Sequence, residues 1–101
     1  MSAAKVQKII DDNGVVVFSK SYCPYCNATK STLRSLDATF ECLELDKMED
    51  GGEIQDALQE LTKQRTVPNI FINHKHIGGN SDLQKLNTAQ LKAVLKEAGA
   101  I

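Results

Sequence analysis

Residues 15–18 read Val-Val-Val-Phe, an unbroken apolar run with Asn13-Gly14 before it and Ser19-Lys20 after it. A β-branched run this short, bounded by turn residues, predicts a strand buried on both faces rather than one with a wet side. Such a strand needs apolar cover above and below, and the rest of the chain supplies it. Val6, Ile9 and Ile10 stand at i, i+3 and i+4, which predicts a helix ahead of the strand. A helical pattern follows from Pro24 to about Leu36, with Ala28, Leu33 and Leu36 as its apolar positions. Phe40 to Leu45 reads as a second strand, and Gly51-Gly52 breaks the chain before a helix carrying Ile54, Ala57, Leu58 and Leu61. Residues 69–72, Asn-Ile-Phe-Ile, form a third strand. Asn73-His74-Lys75 is a hairpin loop into a brief strand at His76-Ile77, which Gly78-Gly79-Asn80-Ser81 ends. A final helical region holds Leu83, Leu86, Leu91, Val94 and Leu95. The order α-β-α-β-α-β-β-α predicts an α/β fold with a mixed sheet covered by helices. Its first two strands run parallel, because a helix joins them.

The length of 101 residues suits a single domain spanning residues 1–101, and it is enough to bury a core without staples. Formal net charge is −1 with both signs interspersed, which gives no concentrated basic face for nucleic acid or an anionic membrane. No apolar run approaches the roughly 18 residues of a membrane span. The first residues lack the apolar stretch of a secretory signal, so the chain is expected in the cytoplasm, where a disulfide is catalytic or sensing rather than structural.

Two of the three cysteines, Cys23 and Cys26, lie three positions apart in KSYCPYCNATK. The spacing alone admits half a metal site, a redox pair or two unrelated core residues. A zinc site would need further ligands, and the only histidines, His74 and His76, are separated by one residue rather than the usual three to five. Placement favours the redox reading. Cys23 falls between a strand and a helix, and Pro24 suits the first helical position. Unpaired N–H groups at a helix start stabilise a thiolate, and Lys20 adds positive charge. Cys26, one turn later on the same face, gains less, which casts Cys23 as the attacking thiol and Cys26 as the resolving one. The third thiol, Cys42, reads as a small buried hydrophobe, or as an oxidation or dimerisation site if its strand lies at an edge. Thr66-Val67-Pro68 invites a cis bond before the third strand, which would turn the Val67 backbone outward to pair with an extended peptide. In Gly78-Gly79-Asn80-Ser81-Asp82-Leu83 the glycines allow close backbone approach, Asn80 or Ser81 is placed to cap the next helix, and its free N–H groups attract a carboxylate.

Taken together, Cys-Pro-Tyr-Cys after the first strand, Thr-Val-Pro before the third and Gly-Gly-Asn-Ser-Asp after the hairpin resemble the dithiol glutaredoxins. A thioredoxin is expected to carry Cys-Gly-Pro-Cys and a neighbouring tryptophan, and this chain has no Trp. The resemblance covers nearly the whole chain. It implies the thioredoxin fold, a central four-stranded mixed sheet flanked by helices. It also implies reduction of glutathione-mixed disulfides and protein disulfides, with glutathione as co-substrate, no tightly bound cofactor and no metal. Cys23 is then the nucleophile and Cys26 the resolving thiol, the two forming the redox disulfide. Lys20 and Gln64, with Arg65 as a further contributor, face the glycine carboxylate of glutathione, and Tyr25 flanks the thiol. Thr66, Val67 and Pro68 present the backbone that pairs with the cysteinyl part. Gly79, Asn80, Ser81 and Asp82 take the γ-glutamyl end. The implied partners are glutathionylated proteins, disulfide substrates and, indirectly, glutathione reductase with NADPH, with the chain a monomer that binds neither nucleic acid nor membrane. Two alternatives are a dimer that holds a [2Fe–2S] cluster, against which Pro24 weighs, and a redox sensor that binds a partner in its oxidised state. Lys63 and His74 stand where many relatives have glycine, so that either the local turns differ or the strain is absorbed.

Overall fold

The computed structural model describes residues 2–101. Helix α1 (Ser2–Asp12) leads into strand β1 (Val15–Ser19), followed by α2 (Pro24–Ser35) and β2 (Glu41–Glu44). A single 3-10 turn (Leu45–Lys47) then precedes α3 (Gly51–Thr62), β3 (Asn69–Ile72), β4 (Lys75–Gly78), α4 (Asn80–Gln84) and α5 (Thr88–Glu97). The strands form one sheet in the order β2-β1-β3-β4. β1 pairs parallel with β2, with Ser19 opposite Glu44, and antiparallel with β3, with Val16 opposite Phe71. β3 and β4 form an antiparallel hairpin.

β1 is buried along its whole length. Because side chains alternate along a strand, its residues serve two cores. Val16 and Phe18 pack with Val6, Ile10, Ile54 and Leu58 under α1 and α3. Val15 and Val17 pack with Leu33, Leu83, Leu91 and Leu95 under α2, α4 and α5. The four-stranded mixed sheet with helices on both faces is therefore as the sequence implies.

Several boundaries differ, each for a local reason. β2 is shorter than the Phe40–Leu45 run, because Leu45 turns into the 3-10 helix while staying buried. α3 starts at Gly51 itself, where an added Cβ would meet the Leu45 carbonyl oxygen at 1.9 Å, so only glycine lets the helix begin so close to the preceding turn. Leu61 lies 51% exposed rather than on the buried face of α3. In α2 Ala28 faces solvent, and the buried face is formed by Cys26, Thr29, Lys30 and Leu33. The final helical region is two helices. Asn87 starts the second by accepting the Gln90 N–H at 2.8 Å, and Gln90 Oε1 accepts the Asn87 N–H at 2.9 Å.

Lys63 (φ 65°) and His74 (φ 67°) both adopt the left-handed conformation that glycine would favour. The turns are thus the expected ones and the side chains absorb the cost. Lys63 is an exposed helix C-cap whose N–H donates to the Gln59 carbonyl oxygen. Lys63→Gly is expected to stabilise the fold by about 1 kcal/mol, raising the thermal unfolding midpoint by roughly 4–8 °C, as calorimetry will read.

Candidate active site

Cys23 is the N-cap of α2, with extended backbone (φ −87°, ψ 117°), and Pro24 opens the helix. The Cys26 N–H donates to the Cys23 sulfur at 3.3 Å. One of the orphan donors of the helix start is therefore aimed at the thiol, where it favours negative charge on sulfur. The turn ahead of it is held at both ends. The Cys23 N–H donates to the Lys20 carbonyl at 3.1 Å. The Asp46 carboxylate accepts from the Ser21 N–H at 2.9 Å and from its hydroxyl at 2.5 Å. These two bonds hold the Asp46 carboxyl below its ordinary range.

The two thiols are unequal. Cys23 is partly exposed, whereas Cys26 is fully buried. Burial, followed by the hydrogen bond with Cys23, pushes the Cys26 thiol up to about 11. The folded state thus holds this proton more tightly than the unfolded chain, whose thiol titrates near 9.0. The resulting stability is complete below about pH 9 and is lost as pH rises towards 11. Thermal unfolding of the reduced protein is expected to show a fall in midpoint across this window that Cys26→Ser reduces, the raised Cys42 thiol contributing the remainder.

Across from Cys23 the Val67–Pro68 peptide bond is cis. The Cys23 thiol lies 3.7 Å from the Val67 carbonyl oxygen, to which it donates. The Gln64 side-chain amide donates to the carbonyls of Thr66 and Pro68 at 3.1 and 3.0 Å, bracing this loop from behind. Two grooves meet at Thr66 and Val67. One, of about 460 Å³, runs past Tyr25, Pro68, Gly79, Asn80 and Ser81. The other, of about 520 Å³, runs past Lys20, Tyr22, Cys23, Gln55 and Arg65. Most of the residues implicated from the sequence thus converge on one continuous surface. Gln64 and Asp82 do not line it but hydrogen-bond to residues that do, Pro68 and Gly79.

At the far end of the first groove Asp82 Oδ2 accepts the Gly79 N–H at 2.9 Å. Asp82, rather than Asn80 or Ser81, therefore closes the start of α4. The Asn80 side chain instead accepts from the Thr29 hydroxyl at 2.9 Å, tying α4 to α2. The Gly79 N–H and Lys85 together hold the Asp82 carboxyl below its ordinary range. Gly78, at φ 120°, packs so closely on Asp82 that a Cβ would lie 2.3 Å from Oδ2.

Reasoning from the sequence missed Tyr22 and Gln55. Tyr22 and Tyr25 are 70% and 69% exposed on either side of Cys23, which gives the thiol an aromatic rim. The position of Tyr22 next to the motif was a usable signal. Gln55 had none: it reaches the groove because the chain after α3 turns back along the helix, where the Gln55 amide donates to the Arg65 carbonyl at 2.9 Å. Arg65 is itself held by Asp56 at 2.5 Å and Gln59 at 3.1 Å.

The family model for glutaredoxin matches residues 15–77, from β1 through β4. The chain belongs to the glutaredoxin family. It is 51% identical to a glutaredoxin of Ricinus communis over 102 residues, which cover all of both chains. Among solved structures, wheat glutaredoxin is 55% identical with a TM-score of 0.96, covering 100% of this chain and 96% of that one. A buckwheat glutaredoxin–glutathione complex is 44% identical with a TM-score of 0.97, covering 100% and 93%. The glutaredoxin has the thioredoxin fold, and its chemistry is thiol oxidoreduction.

One further residue of this glutaredoxin, Cys42, differs from the simplest expectation. Cys42 is partly buried, not fully, and β2 is an edge strand. Burial, then the Glu44 charge, raises its thiol above the ordinary range. Neither histidine turns towards the cysteine pair: His74 Nδ1 is 2.9 Å from the Ile10 carbonyl oxygen, and the His76 ring packs 5.2 Å from that of Phe71. Among the described residues no three His, Cys, Asp or Glu side chains are grouped as metal ligands.

Proposed function

We propose that this glutaredoxin reduces mixed disulfides between proteins and glutathione, and disulfides within proteins, through a Cys23 thiolate with glutathione as electron donor. The observation that carries this reading is the Cys26 N–H directed at the Cys23 sulfur, with that sulfur in one groove and 3.7 Å from the carbonyl oxygen of Val67, where the two grooves meet. The Cys23 thiolate attacks the glutathione sulfur of a mixed disulfide, and the S–S bond breaks. The protein sulfur leaves with the electron pair and takes up a proton. A second glutathione then attacks the Cys23-bound one, giving oxidised glutathione and free Cys23. When the target is a protein disulfide, Cys26 displaces it from Cys23 instead.

Glutathione carries two carboxylates and one ammonium, and the grooves offer complementary groups. Lys20 and Arg65 suit the glycine carboxylate, with Gln64 fixing the loop between them. The Val67 backbone suits the cysteinyl amide. At the γ-glutamyl end the N–H groups of residues 79–81 suit the carboxylate, and the Asp82 carboxylate suits the ammonium. The likeness to a relative solved in complex with glutathione supports glutathione as the ligand. The same reading makes the protein a monomer in a reducing compartment such as the cytoplasm. Steady-state reduction of a glutathione-mixed disulfide, coupled to glutathione reductase and NADPH, tests it. Turnover that saturates with glutathione is expected, and turnover indifferent to glutathione concentration would overturn the proposal.

A further inference from the structure

Between α2 and the sheet lies a polar cluster that the cycle above leaves unused. Lys30 is 7% exposed, an extreme burial for a lysine. Its ammonium pairs with Glu44 Oε2 at 2.9 Å, while Glu44 Oε1 is buried with no partner. A buried ion pair is a weak stabiliser, and an incompletely satisfied one is weaker still. Its surroundings suggest another use. Ser19, Cys42 and Glu44 share the face of the sheet that carries Val15 and Val17, the face α2 covers with Cys26, Thr29, Lys30 and Leu33. Cys26 and Lys30 are i and i+4 on that helix, and a helical side chain leans back towards the N-terminus, so the Lys30 stem is directed towards Cys26. Glu44, Cys42 and Cys26 all bear on Lys30.

We infer that Lys30 is a positioning residue for the resolving step: its buried ammonium, tethered by Glu44, stabilises the negative charge that Cys26 carries when it attacks or leaves. Glu44 spends one of the three donors of the ammonium, and two remain to turn towards the sulfur. In the step itself the Cys26 sulfur attacks the Cys23 sulfur, and the bond from Cys23 to its cargo breaks. The cargo sulfur departs with the electron pair and takes up, through solvent, the proton Cys26 gave up. The protein pair is oxidised to the Cys23–Cys26 disulfide and the cargo is reduced to a thiol. Unassisted, this charge would develop in a dry layer where Cys26 holds its proton tightly. The groups bearing on Cys26 are Cys23 and the Lys20 backbone at the helix start and the Ser19 hydroxyl from β1, and those bearing on Lys30 are Glu44 and Cys42 from β2 together with Cys26 itself. Asp46 bears on Glu44, and Arg34 bears on Cys42.

The inference rests on the Cys23 and Cys26 roles proposed above, and two measurements separate the two claims. In the first, Cys23 is loaded with glutathione and its release is followed without added thiol. Cys26→Ser is expected to stop release, and continued release would overturn the role assignment itself. Lys30→Met is expected to slow release about tenfold and Lys30→Arg to restore most of it; wild-type release in Lys30→Met overturns the inference alone. In the second, Cys26 is titrated by thiolate absorbance in a Cys23→Ser, Cys42→Ala background, where it is the one remaining thiol of three. Lys30→Met is expected to move the midpoint up and Glu44→Gln to move it down, because Glu44 competes for the ammonium. A merely structural pair predicts shifts of one sign for both changes, and that outcome overturns the inference. If Lys30→Met alone fails to fold, the Lys30→Met, Glu44→Gln double variant is compared with Glu44→Gln, and its midpoint is expected to lie above that of the single variant.

Discussion

Cys23→Ser is expected to abolish reduction of a glutathione-mixed disulfide, whereas Cys26→Ser keeps most of it. The loss at Cys23 should reach about three orders of magnitude or more, the scale on which an enzyme loses its nucleophile. A serine hydroxyl stays protonated at neutral pH, and the helix N-terminus that favours a thiolate cannot make an alkoxide of it. The split follows from geometry. Cys23 takes the Cys26 N–H and lines the groove of Lys20 and Arg65, while Cys26 is fully buried with its proton held up to about 11. Free glutathione can reach Cys23 directly, so the mixed-disulfide route does not need the second thiol. The protein-disulfide route does, and Cys26→Ser should leave the enzyme trapped as a mixed disulfide with its target, visible as a covalent adduct on a non-reducing gel. Equal loss from both variants in the mixed-disulfide assay would refute the division of roles.

Gly78→Ala is expected to damage both stability and binding at the γ-glutamyl end of the groove. A φ of 120° is outside what an alanine adopts, and its Cβ would sit 2.3 Å from Asp82 Oδ2 and 2.9 Å from Asp82 Cγ. The side chain must swing away, which breaks its bond to the Gly79 N–H. The backbone strain costs about 1–2 kcal/mol, and losing the bond at the helix start about 1 kcal/mol more. Denaturant unfolding should therefore show a loss of about 2–3 kcal/mol. Because Asp82 is proposed to meet the ammonium of glutathione, KM for the mixed disulfide should rise more than kcat falls. Asp82→Ala separates the two effects: it removes the carboxylate without straining Gly78, and should reproduce the KM change with a smaller stability loss.

The sheet and its helices were legible because the β1 run and the apolar spacings of α1 and α3 are properties of local sequence. The thiol pair was legible because Pro24 and the strand-to-helix junction fix where Cys23 must stand. The buried face of α2 was not. Hydropathy favoured Ala28, but Thr29 and Lys30 are buried because Asn80 and Glu44 meet them from elements far away in the chain. Leu61 failed in the opposite sense: its spacing fits the buried face of α3, yet it is exposed in the last turn of the helix. The division of the last helical region depended on the Asn87 cap, whose partner Gln90 was readable as a capping box three residues on. The left-handed turn at Lys63 carries no local signal, because lysine is a residue the conformation disfavours, whereas Asn73 ahead of His74 marked the hairpin turn.

The central position of β1 also bears on how the chain is made. Its parallel neighbour, β2, ends at Glu44, but the strand on its other side begins only at Asn69. During synthesis the Val-Val-Val-Phe segment therefore emerges long before both its edges can be paired, and it has the β-branched, uncharged character of segments that seek strands in other chains. A nascent glutaredoxin halted between α3 and β3 would carry an open, strongly β-prone edge. The sheet becomes safe from intermolecular pairing at that edge only once residues 69–72 have left the ribosome.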